Sequence, residues 1–328
     1  MNFSSQHVVA ACGLIAISAS AMADSGVTIY GRIDTSMALT KVGDVRIDRM
    51  VNGGSHLGFR GTESLGNGLE VGFQLESAFD SDTGAGAEAA FGNRSELFLS
   101  NSAGTLRFGR FLNPSYYAVA DRVSLHNEDF GITADMLYAY MGHDTNRIAY
   151  KSPLLSGLTL EASVALHERQ YGGARDKNAT DLVASYERDN WSAAVTYGKQ
   201  GAAQQYGLRG TWSSGAWTVS AYHQRSQYWD AKNYEVDRAD GKRNVTRAAV
   251  AYAIGAGELQ ANFGHANGKG QQQARQWTLG YNHHLSKRTK LYAFYTTLQN
   301  KGGASYGLPE MTANQDFKAV NVGIRHHF

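Results

Sequence analysis

Hydrophobic and polar residues alternate along most of this 328-residue chain. Val27, Ile29, Ile33, Met37 and Leu39 are interleaved with Thr28, Tyr30, Arg32, Asp34 and Ser36. A period of two puts the first set on one face of a β-strand and the second set on the other. The pattern then returns as hairpins. Leu57 and Phe59 lead through a turn at 63–68 into Leu69, Val71, Phe73 and Leu75, with Gln74 and Glu76 opposite. Leu97 and Leu99 turn through 101–104 into Leu106 and Phe108, and Ile148 and Tyr150 turn at 153–157 into Leu158, Leu160, Ala162, Val164 and Leu166. Further hairpins centre on 188–190, 213–215, 255–257 and 286–288. Tyr186, Trp191, Tyr197, Trp212, Trp217, Tyr252, Phe263 and Tyr281 stand near the predicted strand ends, where interfacial girdles belong. One opening strand, seven hairpins and a closing strand make 16 strands.

The alternation continues to the last residue. Val320, Val322, Ile324, His326 and Phe328 share one face, and Asn321, Gly323, Arg325 and His327 the other. Such a closing strand suits an outer-membrane barrel, whose last strand pairs with its first and faces lipid on one side. The terminal aromatic resembles the signal read by the outer-membrane assembly machinery, so Phe328 is the expected assembly signal. Short turns alternate with longer polar segments at 167–179, 224–244 and 299–315, as periplasmic turns alternate with surface loops. A soluble β-sandwich would also bury alternate apolar residues, but one sandwich uses far fewer strands. The expectation is an all-β fold, a 16-stranded antiparallel transmembrane β-barrel.

Composition agrees with one face in lipid and one in water. Mean hydropathy is −0.38, and past the N-terminal segment no run of 18 apolar residues would make a membrane-spanning helix. Residues 1–23 read as a secretory signal, with an apolar run from Val8 to Ala19 and the small-x-small pattern Ala21-Met22-Ala23 before Asp24. Residues 24–328 form the barrel domain. No Lys or Arg precedes the apolar run. Val9-Ala10-Ala11-Cys12 also reads as a lipoprotein box, although little apolar chain precedes Cys12. Cleavage after Ala23 removes Cys12, the one cysteine, and with it disulfides, thiol catalysis and Cys-based metal sites. A net charge of +2 does not argue for nucleic acid.

Little points to catalysis. No His-Glu-x-x-His string is present. The pairs His283-His284 and His326-His327 lie on strands, where adjacent residues face opposite ways and cannot chelate one ion side by side. No catalytic residue, cofactor or metal is expected. A surface adhesin would rest on the polar loops alone.

Residues 27–110 carry VTIYGRID, SHLGFRGTESLGNGLEVGFQLESAFD and GTLRFGR, and the chain closes with VGIRHHF. Along the whole of 24–328 the chain resembles the trimeric general-diffusion porins of Gram-negative outer membranes, of the type common in β-proteobacteria. The resemblance implies passive diffusion of small hydrophilic solutes and ions. It also implies a homotrimer among outer-membrane lipids and lipopolysaccharide, inserted by the barrel-assembly machinery. The small outward residues Gly31 and Thr35 would suit a subunit interface.

In that family a third loop folds into the lumen. Here Asn113 to Thr145 is the long segment without alternation. Pro114 breaks the strand, Tyr116 to Val123 suits a short helix, and Asp129-Phe130-Gly131 resembles the family's acidic tip. Asp121, Glu128, Asp129 and Asp135 would supply negative charge; without the resemblance they read as a solvated surface loop. Opposite, the resemblance implies a basic wall of Arg32, His56, Arg60 and Arg110. Arg32, His56 and Arg60 have inward parity. Strict alternation turns Arg110 outward, so a bulge or the strand's end must re-aim it. His56, and His143 near another such place, stand where the family carries Arg or Lys, which makes that charge titratable near pH 6.5. Arg94, Arg107, Arg147 and Lys151 share inward parity. Facing rows of opposite charge set ion preference, here expected to be weakly for anions. The alternative is a substrate-specific porin for sugars, oligosaccharides or peptides, with Tyr116, Tyr117, Tyr138 and Tyr140 as an aromatic slide.

Overall fold

The computed structural model describes residues 26–123, 137–140, 145–167, 177–227, 242–268, 270–308 and 311–328. The expected signal peptide, Glu128, Asp129, Asp135 and His143 lie outside the described residues. The strands are β1 (Thr28–Val42), β2 (Val45–Asn52), β3 (His56–Gly66), β4 (Leu69–Ala78), β5 (Arg94–Asn101) and β6 (Gly104–Arg110). Helix α1 (Pro114–Val119) comes next, then β7 (Arg147–Lys151), β8 (Leu158–Ala165), β9 (Ala179–Arg188), β10 (Trp191–Gln200) and β11 (Ala203–Ser214). The chain finishes with β12 (Trp217–Gln227), β13 (Lys242–Ile254), β14 (Gly257–Asn267), β15 (Gln273–His284), β16 (Thr289–Lys301) and β17 (Phe317–His327).

All strands belong to one antiparallel sheet. It closes because β17 pairs β1 in unbroken register from Arg32↔His327 to Val42↔Phe317. Closure leaves no unpaired edge in lipid, the condition for strands to cross a membrane. β1 pairs β2 through its upper half and β3 through its lower half, so β2 and β3 are two pieces of one interrupted strand. Seventeen segments therefore make the 16 staves read from the sequence. All seven expected hairpin turns are present. Reading the second stave from Leu57 misses β2 and its turn at Gly43-Asp44.

The interruption lies at Gly53-Gly54-Ser55. Gly54 has φ +64, which favours glycine. Against Gly53 the Asp34 carboxylate is fully buried. It accepts from the Tyr292 hydroxyl at 2.6 Å and pairs with Arg325 of β17. Ser55 Oγ caps the Asp34 backbone N–H at 3.0 Å. One side chain thus ties the closing seam to the strand break.

The two faces follow parity. Ile29, Ile33, Met37 and Leu39 of β1 are exposed outward, while Asp34, Ser36, Ala38 and Thr40 are buried inward. Ten residue steps from Ile29 to Leu39, at roughly 3.3 Å each and a tilt of about 40°, give about 25 Å, the height of a barrel's apolar band. Lys41, Lys199, Arg225, Arg275 and Lys318 bound the band at the long-loop end. At the short-turn end, Trp191 lies 6.3 Å from Trp212 and Trp217 4.5 Å from Tyr252.

Two expectations need correction. β12, β13 and β16 run on into the polar stretches expected to be loop: Gln224, Asn244 and Asn300 are strand residues. In a wet barrel a polar residue on the inner face marks the lumen, not the strand's end. Gly31 is also not free for a neighbouring subunit. Phe328 bonds it in both directions, at 3.2 and 3.1 Å, and a Cβ there would stand 2.5 Å from the Phe328 ring.

Candidate pore constriction

The strand break shapes one side of the lumen. The Gly54 carbonyl accepts from Arg32 Nε and Nη2 at 3.1 and 2.8 Å, and lies 3.0 Å from His56 Nδ1. Arg32 and His56 are register partners on β1 and β3. An interrupted strand frees a carbonyl, and that carbonyl holds two cation-forming side chains together. On the other side of the ring, His56 Nε2 stands 3.8 Å from Glu76 Oε2. Arg60 lies over the Tyr30 ring at 5.1 Å. The Tyr30 hydroxyl donates to Glu76 at 3.0 Å and accepts from Gln74 at 2.7 Å. Arg32 and His56 therefore meet at one carbonyl, and Arg60 stands on the same wall with the Tyr30 ring between it and His56.

Arg110 does not join them. A bulge or the strand's end was expected to re-aim it; the β5–β6 ladder reaches its terminal pair, Ser95↔Arg110, without a register shift, so there is no bulge and Arg110 is still paired at the strand's end. Arg110 stays on the row of Leu97 and Leu99, and its Nε donates to the Gly92 carbonyl. Arg94, Arg107 and Arg147 do face inward, but among acceptors. Arg107 chelates Glu96 at 2.5 and 3.0 Å, reaches Glu161 at 2.7 Å and covers the Phe111 ring at 4.1 Å. Arg94 bonds Gln74 at 2.8 Å and lies 3.6 Å from Glu96. Arg147 donates to Ser163 at 2.8 Å. This wall carries paired charge, which a passing ion feels far less than single-sign charge.

The described residues after β6, 111–123 and 137–140, pack against the inner face of the barrel. α1 begins at Pro114, earlier than the expected Tyr116, because proline's fixed φ and missing N–H suit a first helical position. Ser115 N–H donates to the buried Asp181 of β9 at 2.9 Å. Arg209 of β11 donates to the Ala118 carbonyl at 2.6 Å, and Arg94 to the Tyr117 hydroxyl at 3.3 Å. Further on, Ala139 exchanges bonds with Gln224 of β12 at 2.9 and 3.0 Å and also accepts from Gln205. Every one of these wall residues has inward parity.

Two glycines let the segment sit close. A Cβ on Gly207 would stand 3.1 Å from Val119, and one on Gly264 would stand 2.8 Å from Leu137. Asp121 is exposed just beyond α1. The four tyrosines do not form a slide. Tyr116 and Tyr138 are buried and packed on Tyr140 and Tyr222 at ring distances of 4.9 to 6.0 Å, leaving Tyr117 39% exposed.

Sequence reading had no signal for the anchors Asp181, Arg209, Gln205 and Gln224. Parity makes them lumenal, but their partners lie 66 to 91 residues away. The sequence also holds a Gly-x-Ser-x-Gly string, Gly303 to Gly307. It sits in the β16–β17 connection, not on the strand–turn–helix that exposes a nucleophile.

Known proteins share this design. The family model described as Gram-negative porin matches residues 8–303. Outer membrane porin protein 32 of Delftia acidovorans is 29% identical, covering 97% of this chain and 98% of its own. An outer membrane porin protein of Bordetella pertussis is 27% identical over 98% of this chain and 99% of its own. Among solved structures, the anion-selective porin from Comamonas acidovorans superposes with a TM-score of 0.80 at 28% identity, covering 93% of this chain and 100% of that one. The chain belongs to the Gram-negative porin family, the channel-forming barrels of the outer membrane.

Proposed function

We propose that this porin is a general-diffusion channel with an anion-preferring eyelet. Arg32, His56 and Arg60 form its positive wall, and the lumenal segment carrying Asp121, Glu128, Asp129 and Asp135 forms the other side. The observation that carries this reading is the Gly54 carbonyl, which gathers Arg32 and His56, while Arg107 of β6 is matched by Glu96 and Glu161. A similar protein is described as anion-selective, which supports the same sign. Tyrosines packed on one another give a sugar-selective slide little support.

The mature chain starts at Asp24 after signal cleavage, which N-terminal sequencing of the membrane form checks. Three copies associate through the β1–β4 side. There Thr35 Oγ1, on the outward row, bonds Ser81 of the irregular 79–93 segment at 2.6 Å. Irregular backbone at membrane depth needs protein cover, and a neighbouring copy supplies it. The outer band meets lipid and lipopolysaccharide, and Phe328 addresses the assembly machinery.

Single-channel recording in a salt gradient tests the reading. Openings should come in groups of three, with a reversal potential of anion-preferring sign. Arg32→Ala and Arg60→Ala should each move that potential toward zero, whereas Arg110→Ala should leave it nearly in place. Cation preference in the wild type, or a larger shift from Arg110→Ala than from the other two, would refute the wall assignment.

A further inference from the structure

The β16–β17 connection, expected from its polar composition to be a surface loop, turns inward in its described residues, 302–308 and 311–316. Asn300 is the hub. It is buried, on the inward row of Phe294, Thr296 and Leu298. Its amide nitrogen donates to the Tyr306 and Gln315 carbonyls at 2.9 and 2.8 Å, and its amide oxygen accepts from Tyr306 N–H at 3.1 Å. One lumenal side chain thus holds both limbs of the connection, with two donors and an acceptor engaged. Leu308 and Met311 are buried in one apolar cluster with the inward-facing Val42, Leu298 and Phe317. A Cβ on Gly307, whose φ of +117 favours glycine, would stand 3.0 Å from Leu298 Cδ2. A loop standing over the rim would leave these apolar side chains in water.

The tip of the connection reaches farther round the mouth. Arg243, on the inward row of Val245 and Arg247, lies over the Tyr306 ring at 5.5 Å. β13 and β16 are three strand spacings apart, about 14 Å at roughly 4.8 Å each. The ring and the guanidinium therefore bridge the inner ends of β14 and β15. Val42 and Phe317 are the last β1–β17 pair at the long-loop end, whereas Arg32 pairs with His327 at the other end of that ladder. The connection thus lies on the outer side of the Arg32–His56 wall. Its apolar cluster also holds Val119, Leu137 and Tyr138 of the segment after β6, so both lumenal segments rest on one support.

We propose that the β16–β17 connection is a fixed outer filter, a second narrowing that sorts neutral hydrophilic solutes by size before they meet the charged wall. Asn300 is its positioning residue, and Tyr306 with Arg243 forms its tip. This rests on the reading that the protein is a diffusion channel.

Liposome swelling with a series of neutral sugars, from mono- to tetrasaccharides, tests the filter, because uncharged probes keep wall charge out of the result. Two variants are compared with the wild type: Asn300→Ala, which releases both limbs, and excision of residues 305–313. Gly303 N–H donates to Asn314 Oδ1 at 2.7 Å and Asn314 N–H to the Ala304 carbonyl at 2.7 Å, so the limbs already meet where the excised chain would turn. In both variants the swelling rate for trisaccharides should rise relative to that for monosaccharides, and single-channel conductance should rise with it. An excised, heat-modifiable barrel with the wild-type size dependence overturns the filter and leaves the channel reading standing. Absence of swelling by the wild type even with monosaccharides overturns the channel reading, and the filter falls with it. Should the excised chain fail to fold, Asn300→Ala decides by the same criterion.

Discussion

Asp34 shows how much one residue can organise in a barrel wall. Its carboxylate has no exposed surface, yet it joins β1 to Arg325 of β17 and Tyr292 of β16 and lies under the β2–β3 break. A buried ion pair is weak evidence of net stabilisation, but removing one partner strands the other charge. Asp34→Ala should therefore cost about 3–5 kcal/mol, leaving Arg325 and Tyr292 without their acceptor. Unfolding in urea, followed by the heat-modifiable gel shift, measures it; a midpoint at the wild-type value would show that Arg325 finds another counterion. Asp34 reads in the sequence only as one more inward polar residue of the opening strand. Its partners are 258 and 291 residues away, and no local pattern connects them.

Among the elements, the segment after β6 has the most consequence. α1 is too short to hold itself in water. Its position comes from Asp181 at Ser115, Arg209 at Ala118, and the room left by Gly207 and Gly264. Gly264→Val puts side-chain volume where Leu137 packs. The β14 ladder cannot retreat, so the segment must move toward the pore axis. Conductance should fall while the barrel keeps most of its stability, losing about 1–3 kcal/mol to overpacking. Unchanged conductance would mean that Leu137 yields without moving the segment. Proline and the lost alternation make this element visible in the sequence. Its inward course was expected only from family resemblance, because a polar loop over the rim has the same composition.

At the scale of the whole molecule, the barrel exists because its ends meet. Phe328 bonds Gly31 through the backbone and lays its ring over that glycine. If the terminal aromatic is also an address for the assembly machinery, Phe328→Ala should lower the yield of barrels in cells far more than refolding yield in detergent. Equal losses in both assays would reduce Phe328 to a packing residue. The interrupted second stave belongs to this scale too, since β2 and β3 stay in line only because β1 pairs both.

Strand number, the hairpin turns, the lipid-facing rows and the inward parity of Arg32, His56 and Arg60 were all legible in the chain. A period of two is local, and lipid and water sort the faces strongly enough for each strand to report its own orientation. Closure was legible for the same reason, from the matched first and last strands. The pairing of Arg107 with Glu96 and Glu161, the anchors of α1, the Gly54 carbonyl beneath Arg32 and His56, and the outward row of Arg110 were not. Each depends on which residues stand opposite one another across the sheet or across the lumen. That is set by register and closure summed over the whole barrel, and no stretch of sequence short enough to read contains it.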